Sequence, residues 1–379
     1  MHSGERTGSE LALYNLVEHA AGAGWEVGVA CRRDGPLLKQ MPHGVRTYIL
    51  NRQPGRLRRV YNRLSRVPAH DPEGGLMEVH EEFAPDAWYL NTLPEARLLR
   101  RARANNIPCV LHSHEMEHML FINSGDEAEL MVEYPKLVIA GSRAAADVLR
   151  TLGRRRGLEI CYATINPEKI RLEAGKSAAI RRGLGIADGT FVWAMAGTLD
   201  PNKNPVRFAE VAHDMLRQGH DVHFLWVGGG DSGYARYARK RAEELGLGGR
   251  LSWLGHRSDD YYDCLNAAGG FLLTSSRESF SLVSAEAAYM GKPVVSFDSG
   301  GVREIIREGM GVVVDSWNNS DLIRAMLGVM RNEVGFDADA ARERVKEFYV
   351  SAQAPRWEKI VREHLAGEGA AAPARLQGG

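Results

Sequence analysis

Two carboxylates at a fixed spacing, Glu278 and Glu286, mark the stretch of this sequence best suited to chemistry. Glu278 falls in a polar turn, 275–279. Glu286 sits among Leu282, Val283, Ala285 and Ala287, a run that reads as a helix ended by Gly291 with Pro293 just beyond. If the helix starts near Ser281, a rise of ~1.5 Å per residue places the two carboxylates on the order of 8–10 Å apart. That is too far for two groups acting on one atom. It suits one group at a sugar and another at a ribose, with a phosphate between them at the helix amino end. The N–H groups of Phe280, Ser281 and Leu282 would point at such an anion, and the helix dipole favours it. On spacing alone the favoured alternative is a solvated loop carboxylate and a surface helix carboxylate.

Three other groupings carry reactive or binding residues. Lys203 stands in the loop Gly197-Thr-Leu-Asp-Pro-Asn-Lys203-Asn-Pro, directly after an apolar run. A cation there would counter charge on a leaving phosphate; its plain alternative is an exposed loop lysine. Gly228-Gly-Gly230-Asp-Ser-Gly233 matches the dinucleotide fingerprint G-x-G-x-x-G. A nicotinamide cofactor would call for an acidic residue about 20 positions on, at the end of the next strand. That run ends at Gly255-His256, and Asp259 and Asp260 come later. His114-Glu115-Met-Glu117-His118 matches the zincin pattern H-E-x-x-H. It follows directly on a strand end and has no third-ligand motif downstream, so no metal ligand is assigned.

The elements that must position these groups alternate. Strand-like apolar runs occur at 25–31, 45–50, 87–91, 108–112, 136–140, 158–162, 191–196, 223–227, 251–254, 271–274, 293–297 and 311–314. Helical patterns separate most of them, at 10–23, 143–152, 321–330 and, broken, 343–365. Alternation of this kind predicts an α/β fold with parallel sheets covered on both faces, and ligands at the carboxyl ends of the strands. Residues 169–188 are charged and weakly patterned and read as a linker. No repeat of solenoid period is present.

With 379 residues the chain has room for two domains. Lys+Arg and Asp+Glu are equal at 48 each, so no global field argues for nucleic acid. Cys31, Cys109, Cys161 and Cys264 are scattered without a C-x-x-C pair, which reads as buried, reduced thiols and a cytoplasmic setting. No apolar run approaches the ~20 residues of a membrane span, and the polar start MHSGERTGSE is not a signal peptide. The segment 51–66 carries Arg52, Arg56, Arg58, Arg59, Arg63 and Arg66, with Leu57, Val60, Tyr61 and Leu64 at helical spacing. It reads as a solvated helix packed by its apolar stripe, with peripheral contact to an anionic membrane surface or a phosphorylated acceptor as the second reading.

Glu278-Ser-Phe-Ser-Leu-Val-Ser-Ala-Glu286, then Gly291-Lys-Pro-Val-Val and Gly300-Gly-Val-Arg-Glu304, resembles the E-x7-E signature and its continuation in retaining GT-B glycosyltransferases of family 4, the glycosyl transferases group 1. The resemblance runs from Gly8 to about Leu365 and is strongest from Gly197 to Glu304. The family usually has Gly where this chain has Ser281. What the resemblance implies is two Rossmann-like domains facing across a cleft. These are an acceptor-binding domain at 1–168 and a nucleotide-sugar-binding domain at 169–345, with a helix at 346–366 crossing back to the first and a disordered tail at 367–379. Family members open with an apolar strand before their first glycine loop. Here that strand is missing and Gly8 already belongs to the loop, so the expectation is a start set too late.

The implied reaction is retaining transfer from a nucleotide sugar to an acceptor hydroxyl, in cell-surface polysaccharide, glycolipid or glycoconjugate synthesis. Attack comes from the same face, the departing phosphate takes the acceptor proton, and no metal or cofactor is needed. The acceptor would be a sugar, a lipid-linked sugar or a small molecule. Lys203 and the amino end at Phe280, Ser281 and Leu282 would stabilise the phosphate. Glu278 would hold sugar hydroxyls and Glu286 the ribose. His114, with His112 as its near neighbour, would touch the sugar from the first domain. Gly8, Gly197, Thr198, Gly228 and Gly229 would line the donor, and His256 would lie near the base. Thr198 stands where the family has an arginine; Arg277 and Arg303 are substitutes by position. The chain would be cytoplasmic, with 52–66 as its contact at the inner membrane surface. The competing readings are a GT-B nucleotide-sugar epimerase or hydrolase, an NAD-dependent dehydrogenase using Gly228–Gly233, and a donor-binding protein without activity.

Overall fold

The computed structural model describes residues 4, 8–50, 74–117 and 125–365. They form two compact units. One comprises the chain up to Ala163 and from Val350 on, the other Thr164–Tyr349. The basic segment 51–66 and the tail 367–379 lie outside the described residues.

The first unit contains α1 (Gly8–Gly22), β1 (Gly28–Cys31), β2 (Arg46–Ile49), α2 (Gly74–Phe83), β3 (Trp88–Asn91), α3 (Leu98–Ala104), β4 (Cys109–Ser113), α4 (Gly125–Glu133), β5 (Leu137–Ala140), α5 (Arg143–Thr151) and β6 (Leu158–Ile160). All strand pairs are parallel. β5 is Leu-Val-Ile-Ala, buried at every position, the pattern of a strand covered on both faces. The strands do not form one sheet. β1 pairs with β2, and β3-β4-β5-β6 form a second sheet. Among the described residues no strand joins β1 to β3, which is where the sequence lacks its expected first strand.

A buried ion pair spans that gap at the carboxyl ends of the strands. Arg32, one residue past β1, donates from Nε to both oxygens of Glu95 at 3.0 and 3.1 Å and from a terminal nitrogen at 2.9 Å. Glu95 ends the short turn Leu93–Glu95 after β3. The last helix of the chain, described below as α14, also belongs here: Trp357, Ile360 and Val361 pack with Leu16, Ala20, Val110 and Ile139.

The second unit begins with α6 (Lys176–Gly183), then β7 (Phe191–Ala196), α7 (Pro205–Arg217), β8 (Val222–Val227), α8 (Gly233–Glu244), β9 (Leu251–Trp253), α9 (Tyr261–Asn266), β10 (Gly270–Leu273), α10 (Leu282–Tyr289), β11 (Val294–Phe297), α11 (Val302–Ile305), β12 (Gly311–Val314), α12 (Asn319–Met330) and α13 (Ala338–Val345). α14 (Val350–Leu365) follows. The supposed linker thus carries a helix, α6, which its charges and the glycines at 175, 183 and 185 hid. The broken helical stretch is two helices, the first opened by Asp337, whose carboxylate accepts from the N–H groups of Asp339 and Ala340 at 2.9 Å. The six parallel strands lie in the order β12-β11-β10-β7-β8-β9. Trp193, Phe208, Phe224, Trp226, Phe271 and Phe297 fill its core.

The Arg32–Glu95 geometry generates a stability prediction. Arg32→Leu strands a buried carboxylate and is expected to cost about 3–5 kcal/mol in urea unfolding, whereas Arg32→Leu with Glu95→Leu recovers most of it. A single variant as stable as the parent would show that the pair does not hold the gap.

Candidate functional site

In the six-stranded sheet the order reverses between β7 and β10. Connections from these neighbours leave in opposite directions, so their carboxyl ends open a crevice, the usual ligand seat of such sheets. The loops that part there carry Lys203 and Glu278. The Lys203 Nζ donates to a Glu278 carboxylate oxygen at 2.6 Å. Glu278 is only 7% exposed, so it is not a solvated loop residue. Its own backbone is locked: its N–H donates to the Ser299 carbonyl, and its carbonyl accepts from Gly301 N–H, both at 2.7 Å. Position 301 tolerates no side chain, since a Cβ would lie 1.8 Å from the Ser279 carbonyl oxygen.

The β7 loop is held as firmly. Asp200 accepts the Lys203 N–H at 2.9 Å and the Thr198 hydroxyl. Asn202 braces the facing loop, donating to the Arg277 carbonyl at 2.9 Å and accepting the Arg277 N–H at 3.0 Å. Buried Thr274 donates to the Lys203 carbonyl at 3.1 Å. Thr198, expected at the donor, shapes the turn that aims Lys203. Gly197 lets the Lys203 stem lie against the backbone, with a Cβ there 3.2 Å from the stem.

Glu286, in the middle of α10, has two partners that the sequence reading missed. The Tyr261 and Tyr262 hydroxyls each donate to one of its oxygens at 3.1 Å. Burial pushes its carboxyl up to about 7, against the opposing pull of the two hydroxyls. Two adjacent tyrosines at the start of α9 gave no signal beyond their type. The amino end of α10 has no side-chain cap. Ser281 sits at φ 76°, ψ 74° with its hydroxyl turned 2.8 Å to that of Ser284. Phe280 packs edge-on against Phe348, anchoring the turn.

The glycine loop after β8 follows strand-then-helix order but stands one strand away from the reversal. β7, not β8, occupies the position of a dinucleotide fingerprint, and β9 ends in Leu254-Gly255-His256 without an acid. Gly228 is glycine for another reason: a Cβ there would lie 2.1 Å from the Gly197 carbonyl oxygen. Gly228 N–H donates to the Gly255 carbonyl at 2.8 Å, and Gly229 packs against the backbone of exposed His256. The two arginines offered as substitutes at Thr198 are engaged elsewhere. Arg303 donates to Asp298 at 2.6 Å and to Asp315; Arg277 donates from its guanidinium to the Ser276 carbonyl at 3.0 Å. Ser275 and Ser299 lie two residues past β10 and β11, with buried hydroxyls that have no partner among the described residues, a feature invisible in sequence.

In the first unit the two histidines separate. His112 lies within β4, and its Nδ1 accepts from the Tyr89 hydroxyl at 2.7 Å; that hydroxyl in turn accepts from the Trp357 indole at 3.0 Å. His114 is the first residue past the strand. The Asn91 amide donates to the Ser9 carbonyl, which leaves its oxygen to accept the His114 Nε2–H at 3.0 Å. Burial pulls His114 down to about 4 and His112 well below its usual range, so both rings are neutral near pH 7. Glu115 accepts the His114 N–H at 2.9 Å and is pushed up to about 7 by burial. His118 lies outside the described residues, and among those described no cluster of three His, Cys, Asp or Glu could hold a metal. Gly8 is the exposed first residue of α1.

Ser281 yields the prediction of this geometry. A left-handed serine is strained by roughly 1–2 kcal/mol. Ser281→Gly is expected to unfold within about 1 kcal/mol of the parent in urea, and Ser281→Val to lose about 2 kcal/mol or more. Equal stability of the valine variant would mean that the turn is free to relax.

Residues 176–348 match the family of glycosyl transferases group 1, and residues 6–169 match glycosyltransferase family 4. A D-inositol 3-phosphate glycosyltransferase of Geodermatophilus obscurus is 30% identical over 265 residues, 67% of this chain and 52% of that protein. The chain spans about half the length of the curated inositol phosphate relatives that it matches. A UDP-Gal:alpha-D-GlcNAc-diphosphoundecaprenol alpha-1,3-galactosyltransferase of Escherichia coli is 23% identical over 357 residues, covering 86% of this chain and 89% of that one. Anabaena HepE, solved in complex with UDP-glucose, superposes with a TM-score of 0.80 at 23% identity, over 96% of this chain and 98% of that one. At that identity the structural likeness speaks for the fold. With two Rossmann-like units and both family models matched, this chain belongs to the group 1, family 4 glycosyltransferases and has their GT-B fold.

Proposed function

We propose that this protein transfers a sugar from a nucleoside diphosphate donor to an acceptor hydroxyl with retention of anomeric configuration. The observation that carries it is the Lys203–Glu278 pair at the reversal point of the second sheet, 2.6 Å apart and beside the uncapped amino end of α10. The donor diphosphate takes Lys203 Nζ and the N–H groups at Ser281 and Leu282. Glu278, released from the lysine, then holds sugar hydroxyls. Glu286 accepts the ribose hydroxyls. The departing phosphate oxygen takes the acceptor proton as the new bond forms on the same face. Positive charge for the leaving group comes from Lys203 and the helix end, so the scheme uses no metal. Within the second unit Gly197, Thr198, Gly228 and Gly229 shape the donor seat and His256 neighbours the base; these roles rest on the family resemblance.

The E. coli relative, a UDP-Gal transferase to a diphosphoundecaprenol-linked GlcNAc, and HepE with UDP-glucose favour a uridine donor and a sugar or lipid-linked acceptor. Work at the inner membrane surface fits that acceptor class. Among the described residues no helix is long and apolar enough to cross a membrane.

A thermal-shift series with UDP, GDP, ADP, TDP, CDP and NAD tests the donor reading. One nucleoside diphosphate is expected to raise Tm by mass action, and Lys203→Ala and Glu286→Ala to abolish the rise; stabilisation by NAD alone would overturn it. The Glu286 carboxyl, displaced from 4.5 to about 7, adds a pH signature. In the free protein the fold favours its protonated form. That contribution to stability is full below about pH 4.5 and is lost as pH rises through about 7. Ribose hydroxyls need the carboxylate, so diphosphate affinity is expected to rise about tenfold from pH 6 to pH 8 and to be flat in Glu286→Gln. A flat profile in the parent would remove Glu286 from the ribose.

A further inference from the structure

We propose that the outer edge of β12 is an interaction surface for a second copy of this chain, the two β12 strands pairing antiparallel about a two-fold axis. β12 ends the strand order of the second sheet, with β11 as its neighbour. Val294 N–H donates to the Met310 carbonyl and Asp298 N–H to that of Val314. Residues 310, 312 and 314 therefore face β11, and Gly311 and Val313 turn their backbone N–H and C=O groups outward. Among the described residues no hydrogen bond reaches those groups. A strand edge in that state is a template for pairing with another chain.

Other sheet edges carry protection that β12 lacks. In β6 the middle residue is the charged Glu159, and Arg356 Nε donates to the Ile160 carbonyl at 3.1 Å. At the far edge of the second sheet, β9 is only three residues long. Charges and short strands are the usual means of blunting an edge. β12 reads Gly-Val-Val-Val, with no charge and no proline, and each of its residues is half-buried. A groove of about 360 Å³ runs beside it, lined by Arg303, Ile306, Arg307 and Glu308 as well as the strand, and gives an incoming strand room.

The occupant is a second copy because the edge complements itself. With the axis at Val312, Gly311 of one chain lies opposite Val313 of the other. Such a pair exchanges both of its N–H···O bonds, and the two Val312 side chains meet as the non-hydrogen-bonded pair between them. Antiparallel pairing also sets the amino end of one strand beside the carboxyl end of the other. The amino end carries exposed Arg307 and Glu308. The carboxyl end carries Asp315, its side chain 90% exposed and ion-paired to Arg303, and Trp317, 40% exposed. Arg307 therefore meets Asp315 and the Trp317 ring of the second copy, and Glu308 meets its Arg303. Parallel pairing would instead set Arg307 against Arg307. A ribbon this short buries less than the ~1,200 Å² of a stable interface, so the pair is weak, with Kd on the order of 10–100 μM.

Sedimentation equilibrium and amide exchange on the full chain, from about 1 to 500 μM protein, provide the test. The mass is expected to rise from one chain to two and to stop there, because an isologous pair closes on itself. Exchange at Gly311 and Val313 should slow by about tenfold or more over the series, while Val312, already bonded to β11, should not change. Val313→Pro removes an outward N–H and is expected to remain a single chain. Arg307→Glu alters only an exposed side chain and is expected to raise Kd about tenfold. A single-chain mass throughout would overturn the proposal, and so would growth beyond two chains. A dimer that leaves the Gly311 and Val313 amides unprotected, or whose Kd neither substitution changes, would overturn it as well.

Discussion

A lysine ammonium held against a carboxylate at the point where a parallel sheet reverses its strand order is the interaction on which the second unit turns. Taking Glu278 out of water is costly unless a cation accompanies it. Lys203, its side chain 23% exposed, supplies that cation at 2.6 Å. Everything near the pair fixes one partner or the other. Asp200 and Thr274 set the lysine loop, Asn202 ties it to the facing loop, and Ser299 and Gly301 clamp the backbone of Glu278. The result is a charge pair whose two members satisfy each other.

Glu286 solves a related problem differently. Its carboxyl is withdrawn from water, and among the described residues its donors are two tyrosine hydroxyls and no cation. Neutral donors offset part of the desolvation cost, which leaves the group near the protonation boundary at physiological pH. Between the two carboxylates the chain makes a left-handed turn at Ser281, a conformation that glycine adopts freely and serine does not. The serine is kept there by its hydroxyl contact with Ser284 and by the burial of Phe280 next to it.

The first unit depends on a buried ion pair of its own. Arg32 and Glu95 link two sheets that share no strand pairing among the described residues, while α1 and α14 cover one side of both. Near β4 a relay from Trp357 through Tyr89 fixes the tautomer of His112, and Asn91 does the same for His114. The neighbouring rings, 4.0 Å apart, stay neutral because burial disfavours a charge on either.

The sequence determined the architecture almost alone. Apolar runs such as β7 and β8 are legible because a central parallel strand must bury both faces, and the spacing Glu278–Glu286 survives because a loop and a helix of fixed rise separate them. What the sequence could not show was partnership across distance. That Lys203 meets Glu278, that Tyr261 and Tyr262 meet Glu286, and that Arg303 belongs to Asp298 and Asp315 depend on which strands become neighbours. Strand order is a property of the whole sheet, with no local pattern to announce it. The same holds for Gly228, whose motif matched the dinucleotide fingerprint, and for Gly301: the need for glycine at both comes from carbonyl oxygens brought close by the fold. Residue types and spacing set which groups were available; the reversal of strand order between β7 and β10 decided which of them meet.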